Sequence, residues 1–165
     1  MGRYRPPATV KSPYITAHGY DRLRREADEL WIRRREVTQA LAAAAAEGDR
    51  SENAEYIYRK KQLREMDRRI GYLQRRLPEL KVVHAGPADT EKVFFGAWVT
   101  LEESDGTELE FRIVGADEFD PKKNWISVDS PMARALLKRS VDQEVSVRTP
   151  TGDRYYVVIE VRYEY

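Results

Sequence analysis

Two runs of residues in this chain step forward by three and four positions in strict alternation. The first is Tyr20, Leu23, Ala27, Leu30, Arg34, Val37, Leu41 and Ala44; the second is Tyr56, Arg59, Leu63, Met66, Ile70, Leu73, Leu77 and Leu80. That spacing puts each run along a single stripe of an α-helix, the a/d seam by which helices pair. One polar residue, Arg34, interrupts the first seam. Gly48 stands between the runs, at the place where a helix would end on a left-handed residue. Two seams joined by a tight turn fold back on each other as an antiparallel coiled coil. Each arm has about 30 residues, so the hairpin reaches roughly 45 Å at 1.5 Å per residue. Thr16 is a candidate N-cap for the first helix. The run Ala42 to Ala46 has high helix propensity and small side chains, which let a partner helix come close. Pro78 weakens or kinks the last turn of the second arm. A two-helix hairpin is too thin to enclose a pocket, so any chemistry it carries sits on its surface or its tip.

From about residue 91 the period changes. KVFFGAWVTLE is rich in aromatic and β-branched residues and reads as a strand. Ser104-Asp105-Gly106 marks a turn, ELEFRIVG returns, and NWISVD is a third strand. Ser130-Pro131 supplies an N-cap followed by proline at the first helical position, opening a short helix, PMARALLKR. QEVSVRTP and RYYVVIEVRYEY form a last hairpin across Pro150-Thr151-Gly152-Asp153. The reading is an α+β chain: an antiparallel coiled-coil hairpin, then a small antiparallel sheet with one short helix. We place a loose tail at residues 1–13, the hairpin at 14–84 with its tip near 47–53, and the sheet domain at 85–165.

Charge separates the same two parts. Residues 1–84 hold 19 Lys and Arg against 12 Asp and Glu; residues 85–165 hold 10 against 16. A basic half and an acidic half suit different partners. Charged residues make up 35% of the chain, above the ~25% of an ordinary domain, as a long exposed helix requires. The absence of cysteine excludes disulfides and thiolate metal sites. With only two histidines, His18 and His84, far apart, a zinc site is not expected. Nothing is long and apolar enough to span a membrane, and the basic, proline-bearing N-terminus lacks the apolar stretch of a secretory signal. The expectation is a soluble, cytoplasmic protein.

The turn between the arms reads EGDRSENAEY, with Asp49 and Glu52 three residues apart. Two readings fit. In the first, Asp49 is the N-cap of the second helix and Glu52 the N3 partner of a capping box, a common arrangement that also suits the helix dipole. In the second, the two carboxylates hold a divalent cation. Mg²⁺ takes oxygen ligands and often only one or two carboxylates, keeping several waters. An exposed pair binds it weakly alone and matters only if another molecule supplies the remaining ligands. The second arm carries Arg59, Lys60, Lys61, Arg64, Arg68, Arg69, Arg75 and Arg76 against only Glu65 and Asp67. Such a run is either a solvated coiled-coil face or a stripe that attracts phosphates.

The stretch GDRSENAEYIYRKKQLREMDRRIGYL resembles the hairpin tip and second helix of the Gre family of bacterial transcript-cleavage factors. VFFGAWVTLE, FRIVGADE and ISVDSPMARALL are similar to the family's C-terminal domain, and closer to its GreB branch than to GreA. The resemblance implies an FKBP-like C-terminal domain that docks at the rim of the RNA polymerase secondary channel while the coiled coil enters it. It implies that Asp49 and Glu52 are catalytic in trans, sharing a Mg²⁺ with the polymerase, which then hydrolyses backtracked RNA. On this resemblance the chain is an activator and not itself an enzyme. Lys60 and Lys61, with Arg59 and Arg64, match the basic patch that contacts the extruded RNA 3′ segment. Asp129, Ser130, Pro131 and Met132 match the motif nearest the polymerase-docking surface, where a helix cap is the local alternative. The implied state is a monomer that reaches the nucleoid only through polymerase. Two other functions are open: a secondary-channel regulator or inhibitor without cleavage activity, and a coiled coil bearing a prolyl isomerase, since fold does not establish activity.

Overall fold

The structure, a computed structural model, describes residues 9–48 and 53–164. It has two compact units: His18–Leu80, and the residues up to Ala17 together with Lys81 onward.

The first unit is the helical hairpin. Helix α1 runs Ala17–Ala46 and helix α2 runs Ala54–Arg76. All sixteen seam positions are buried or half-buried, with Leu23, Val37, Ala44, Met66, Ile70 and Leu73 at the centre of the interface. Links between the arms show their direction. Glu26 pairs with Arg69 at 2.6 Å, Arg34 with Asp67 at 2.6 Å, and the Ala44 carbonyl accepts from Asn53 at 2.7 Å. As the first number rises the second falls, so the arms are antiparallel. Arg34, the polar seam residue, is held by both carboxylate oxygens of Asp67. That hydrogen bond, with the charge attraction, raises the Arg34 pKa above its ordinary value. The pair is partly exposed, so it contributes little to stability. It does fix register, because only one alignment of the seams brings the two together. The second arm has 23 helical residues, about 35 Å, and is shorter than its seam. It ends at Arg76 because Pro78 cannot continue the ladder, and the chain tightens into a 3-10 turn at Leu77–Glu79.

The second unit is built on a five-stranded sheet. Its strands are β3 (Trp98–Glu103), β4 (Glu108–Val114), β5 (Trp125–Ser127), β6 (Glu144–Thr149) and β7 (Gly152–Arg162), in the order β5-β4-β3-β7-β6. Alternation sorts the two faces. Val99, Leu101, Ile113, Val145, Val147, Tyr156 and Val158 point to the core, where Ala133 and Leu136 of the short helix α3 (Pro131–Leu136) cover them. The opposite face carries a cross-strand row of Trp125, Arg112, Trp98 and Arg162 in register. The Arg162 guanidinium lies 4.8 Å from the Trp98 ring centre and the Arg112 guanidinium 5.3 Å from that of Trp125. Such stacking covers apolar rings that would otherwise face water.

Two details differ from the sequence reading. Strand β5 joins β4 in parallel, because residues 115–124 form a crossover long enough to return the chain to the starting end. The strand expected from residue 91 begins only at Trp98, since Gly96 has φ +88° and Ala97 N closes a turn on the Phe94 carbonyl.

The sheet unit also contains a short parallel pair, β1 (Tyr14–Thr16) and β2 (Lys81–Val83), in the register Tyr14–Lys81, Ile15–Val82, Thr16–Val83. Residues 14–17 and 81–84 therefore belong to the sheet unit, although the sequence reading counts them with the hairpin. Ile15 is fully buried. Beside it, the Glu118 carboxylate is also fully buried and receives three donors. Gly115 N donates at 2.8 Å and Thr16 N at 3.1 Å, and the Thr16 hydroxyl donates to the other oxygen. Thr16, read from sequence as a helix cap, thus binds Glu118 through its hydroxyl. A Cβ added to Gly115 would lie 2.3 Å from the Tyr14 carbonyl oxygen, so only glycine permits this approach.

Candidate functional site

The hairpin tip is assembled from its two ends. Helix α1 stops at Ala46, and Gly48 has φ +138°, a backbone conformation that side chains disfavour. Helix α2 starts at Ala54 with Asn53 as its N-cap, whose Oδ1 accepts from Tyr56 N at 3.1 Å. The same amide uses its Nδ2 to donate to the Ala44 carbonyl at 2.7 Å, a group in the last turn of α1 that also accepts from Glu47 N at 3.2 Å. Asn53 therefore caps one helix and ties it to the end of the other. This corrects the capping reading of the sequence, which gave that position to Asp49. Asp49 and Glu52 themselves lie outside the described residues, between Gly48 and Asn53.

The basic stripe divides when seen in three dimensions. At about 100° per residue, Lys60, Lys61, Arg64, Arg68 and Arg75 fall within an arc of about 100° on the side of α2 opposite Met66, Ile70 and Leu73. All five are exposed. Lys61, Arg64, Arg68 and Arg75 have no acidic partner among the described residues. Lys60 places its ammonium 5.8 Å from the Tyr56 ring centre. Arg59 is different: it is half-buried, pairs with Glu55 at 2.8 Å and donates to Gln62 at 3.1 Å. Asp67, one of the two acids that diluted the stripe in sequence, is turned to Arg34 of the first arm. The result is a single-sign face about 22 Å long from Lys60 to Arg75. Arg68 and Arg75 belong to it, although the sequence reading left them out of the candidate RNA-contacting set; the helical angle was the signal that could have found them.

In the sheet unit, Asp129, Ser130, Pro131 and Met132 form the entrance to α3. Ser130 Oγ caps the helix by accepting from Ala133 N at 3.2 Å, and Pro131 opens it, exposed. Met132 packs partly against the core. Asp129 N donates to Ser127 Oγ at 3.1 Å, and the Asp129 carboxylate accepts from Ser12. Ser12 thus anchors the end of the stretch read from sequence as a loose tail. Among the described residues no group of three or more His, Cys, Asp or Glu is arranged to hold a metal. No helix among them is long and apolar enough to cross a membrane.

The family descriptions "Transcription elongation factor, N-terminal" and "Transcription elongation factor, GreA/GreB, C-term" match residues 13–82 and 88–163. The chain is 57% identical to transcription elongation factor GreB of Pseudomonas aeruginosa over 164 residues, covering 99% of this chain and 98% of that one. This chain belongs to the GreA/GreB family of transcription elongation factors. A second GreB, from Xanthomonas axonopodis pv. citri, is 56% identical over 165 residues, covering 99% of this chain and 98% of that one. Among solved structures, GreA factor homolog 1 of Thermus thermophilus aligns with 92% of this chain and 99% of its own, at 25% identity and a TM-score of 0.44.

Within this GreA/GreB chain the Asn53 cap makes a prediction of its own. Asn53→Ala should cost about 1 kcal/mol for the lost cap, plus roughly as much for the lost hydrogen bond to the Ala44 carbonyl. Asn53→Asp, which keeps the cap but lacks the amide donor, should lose only the second part. Urea unfolding of both variants measures the split, and equal stability for the alanine variant and the parent would exclude the tie between the arms.

Proposed function

We propose that this chain binds RNA polymerase through its secondary channel and stimulates endonucleolytic cleavage of backtracked nascent RNA, rescuing arrested complexes. The observation that carries this reading is the chemistry of the tip. The four residues between Gly48 and Asn53 include two acids, and the capping work that would otherwise explain them is done by Asn53. Two carboxylates suit Mg²⁺, which accepts incomplete protein ligation. Asp49 and Glu52 would hold the ion jointly with groups of the polymerase and orient the attacking water. When bound, the metal supplies Lewis-acid stabilisation of phosphodiester hydrolysis. The chain supplies part of a site and is not an enzyme by itself. It acts as a monomer, in the cytoplasm, wherever polymerase stalls.

The stripe of Lys60, Lys61 and Arg64, extended by Arg68 and Arg75, supports contact with the extruded RNA 3′ segment, and Arg59 contributes from the stripe's edge. Asp129, Ser130, Pro131 and Met132 are the residues we assign to docking on polymerase. The deciding experiment incubates purified protein with a stalled, backtracked elongation complex and resolves the RNA on a gel. Shortened transcripts and released 3′ fragments are expected. Occupancy of the complex with intact RNA would instead make the chain a channel-binding regulator without cleavage activity.

The stripe has its own test. Each phosphate contact to single-stranded nucleic acid contributes about 0.7 to the slope of log affinity against log salt. Replacing Lys60, Lys61 and Arg64 together by Ala should therefore flatten that slope by about 2. The loss of rescue should be larger for extensively backtracked complexes than for briefly backtracked ones. An unchanged slope would mean that these cations are only a solvated face.

A further inference from the structure

We infer that Ser12 is a positioning residue for polymerase docking: it holds the Asp129 carboxylate in the orientation in which residues 129–132 meet their partner. The inference rests on the docking role proposed above for those residues. Ser12 donates twice to the same side chain, from its backbone N to Oδ2 at 2.8 Å and from its hydroxyl to Oδ1. Donors to both oxygens fix the plane of the carboxylate as well as its position. The backbone around Asp129 is already fixed from its own neighbourhood. Asp129 N donates to Ser127 Oγ, Ser130 N donates to the Ser127 carbonyl at 2.9 Å, and Ser130 caps α3. The two bonds from Ser12, 117 positions away in sequence, act on the Asp129 side chain itself.

Ser12 is suited to the task because the chain just after it is tied down. The next residue, Pro13, accepts from Lys81 N at 2.8 Å, and β1 follows directly, locked to β2 and to Glu118. Asp129 is only half-buried, so it stays within reach of a partner. A side chain ordered before binding loses less freedom on association, which raises affinity without a new contact. Neither Ser12 nor Asp129 belongs to the buried core, so the contact can be removed while the fold remains.

The test measures cleavage stimulation on stalled complexes as a function of protein concentration. Ser12→Ala should raise the half-maximal concentration roughly tenfold, equivalent to about 1.4 kcal/mol, with the saturating cleavage rate and the thermal midpoint unchanged. Ser12→Thr, which keeps the hydroxyl, should restore the parent value. Asp129→Asn should raise the half-maximal concentration too, and adding Ser12→Ala to it should cost nothing more, as expected of two residues acting through one interaction. If Asp129→Asn weakens the response and Ser12→Ala does not, or if the two effects add in full, the positioning role is overturned while docking by residues 129–132 stands. If Asp129→Asn has no effect, the docking assignment and the positioning role fall together.

Discussion

Asp49→Asn combined with Glu52→Gln should lower the saturating rate of RNA cleavage on stalled complexes by on the order of a hundredfold or more, the usual loss when one preorganised charge or dipole at a reacting centre is removed. The substitutions keep the size and shape of both side chains and delete only negative charge, which is what a shared Mg²⁺ requires of its ligands. Binding to polymerase should persist, because residues 129–132 and the basic stripe are untouched. So should the fold: α2 takes its cap from Asn53, and the arms are joined through Asn53 to Ala44 and through Arg34 to Asp67. Melting curves and cleavage rates measured on the same preparations separate the two explanations of the acids. A variant that melts early while its folded fraction cleaves at the parent rate would make them structural.

Glu118→Ala is the second large effect, and it acts on the fold. The carboxylate is fully buried and satisfies two backbone N–H groups and one hydroxyl. Deleting it leaves those donors buried without acceptors, at about 1–3 kcal/mol each where water cannot reach them. A loss of about 3–5 kcal/mol is expected, as for removal of one partner from a buried charged cluster. In a domain of this size that lowers the thermal midpoint by more than about 10 °C. Glu118→Gln tests the cause. It preserves volume but turns an NH₂ group toward donors, so it should also destabilise, though less. Gly115→Ala, whose new Cβ meets the Tyr14 carbonyl oxygen at 2.3 Å, should destabilise the same place by steric means. Calorimetry on the three variants checks this, and a midpoint for Glu118→Ala within about 2 °C of the parent would show that the cluster contributes little.

The hairpin was legible because a helical seam is a local code: Leu23 and Leu73 announce their burial by spacing alone. The sheet strands were legible for the same reason, down to the Ser130-Pro131 opening of α3. What escaped depends on partners distant in sequence. Glu118 sits in a polar stretch, ADEFDP, that reads as an exposed loop. Its burial follows from the return of Tyr14, Ile15 and Thr16, about a hundred residues earlier, and no local pattern contains that. The parallel pairing of β1 with β2 was missed for the same reason, since three-residue strands carry too little alternation to be seen. At the tip, Asp and Asn rank equally as caps, so propensity could not choose between Asp49 and Asn53. What distinguishes Asn53 is its amide N–H, which reaches the Ala44 carbonyl as a carboxylate could not.

Strands β1 and β2 lie side by side, and the chain between them forms α1 and α2. In topological terms the whole arm is an insertion into the sheet unit, leaving and rejoining it through one clasp. Loop-closure entropy for such an excursion grows only with the logarithm of its length, and the clasp sets the closure distance whatever lies beyond it. The length of the arm is thereby decoupled from the folding of the sheet unit. Whole heptads can be added or removed in matched pairs, one per helix of the coiled coil, while the residues at the clasp see the same neighbours.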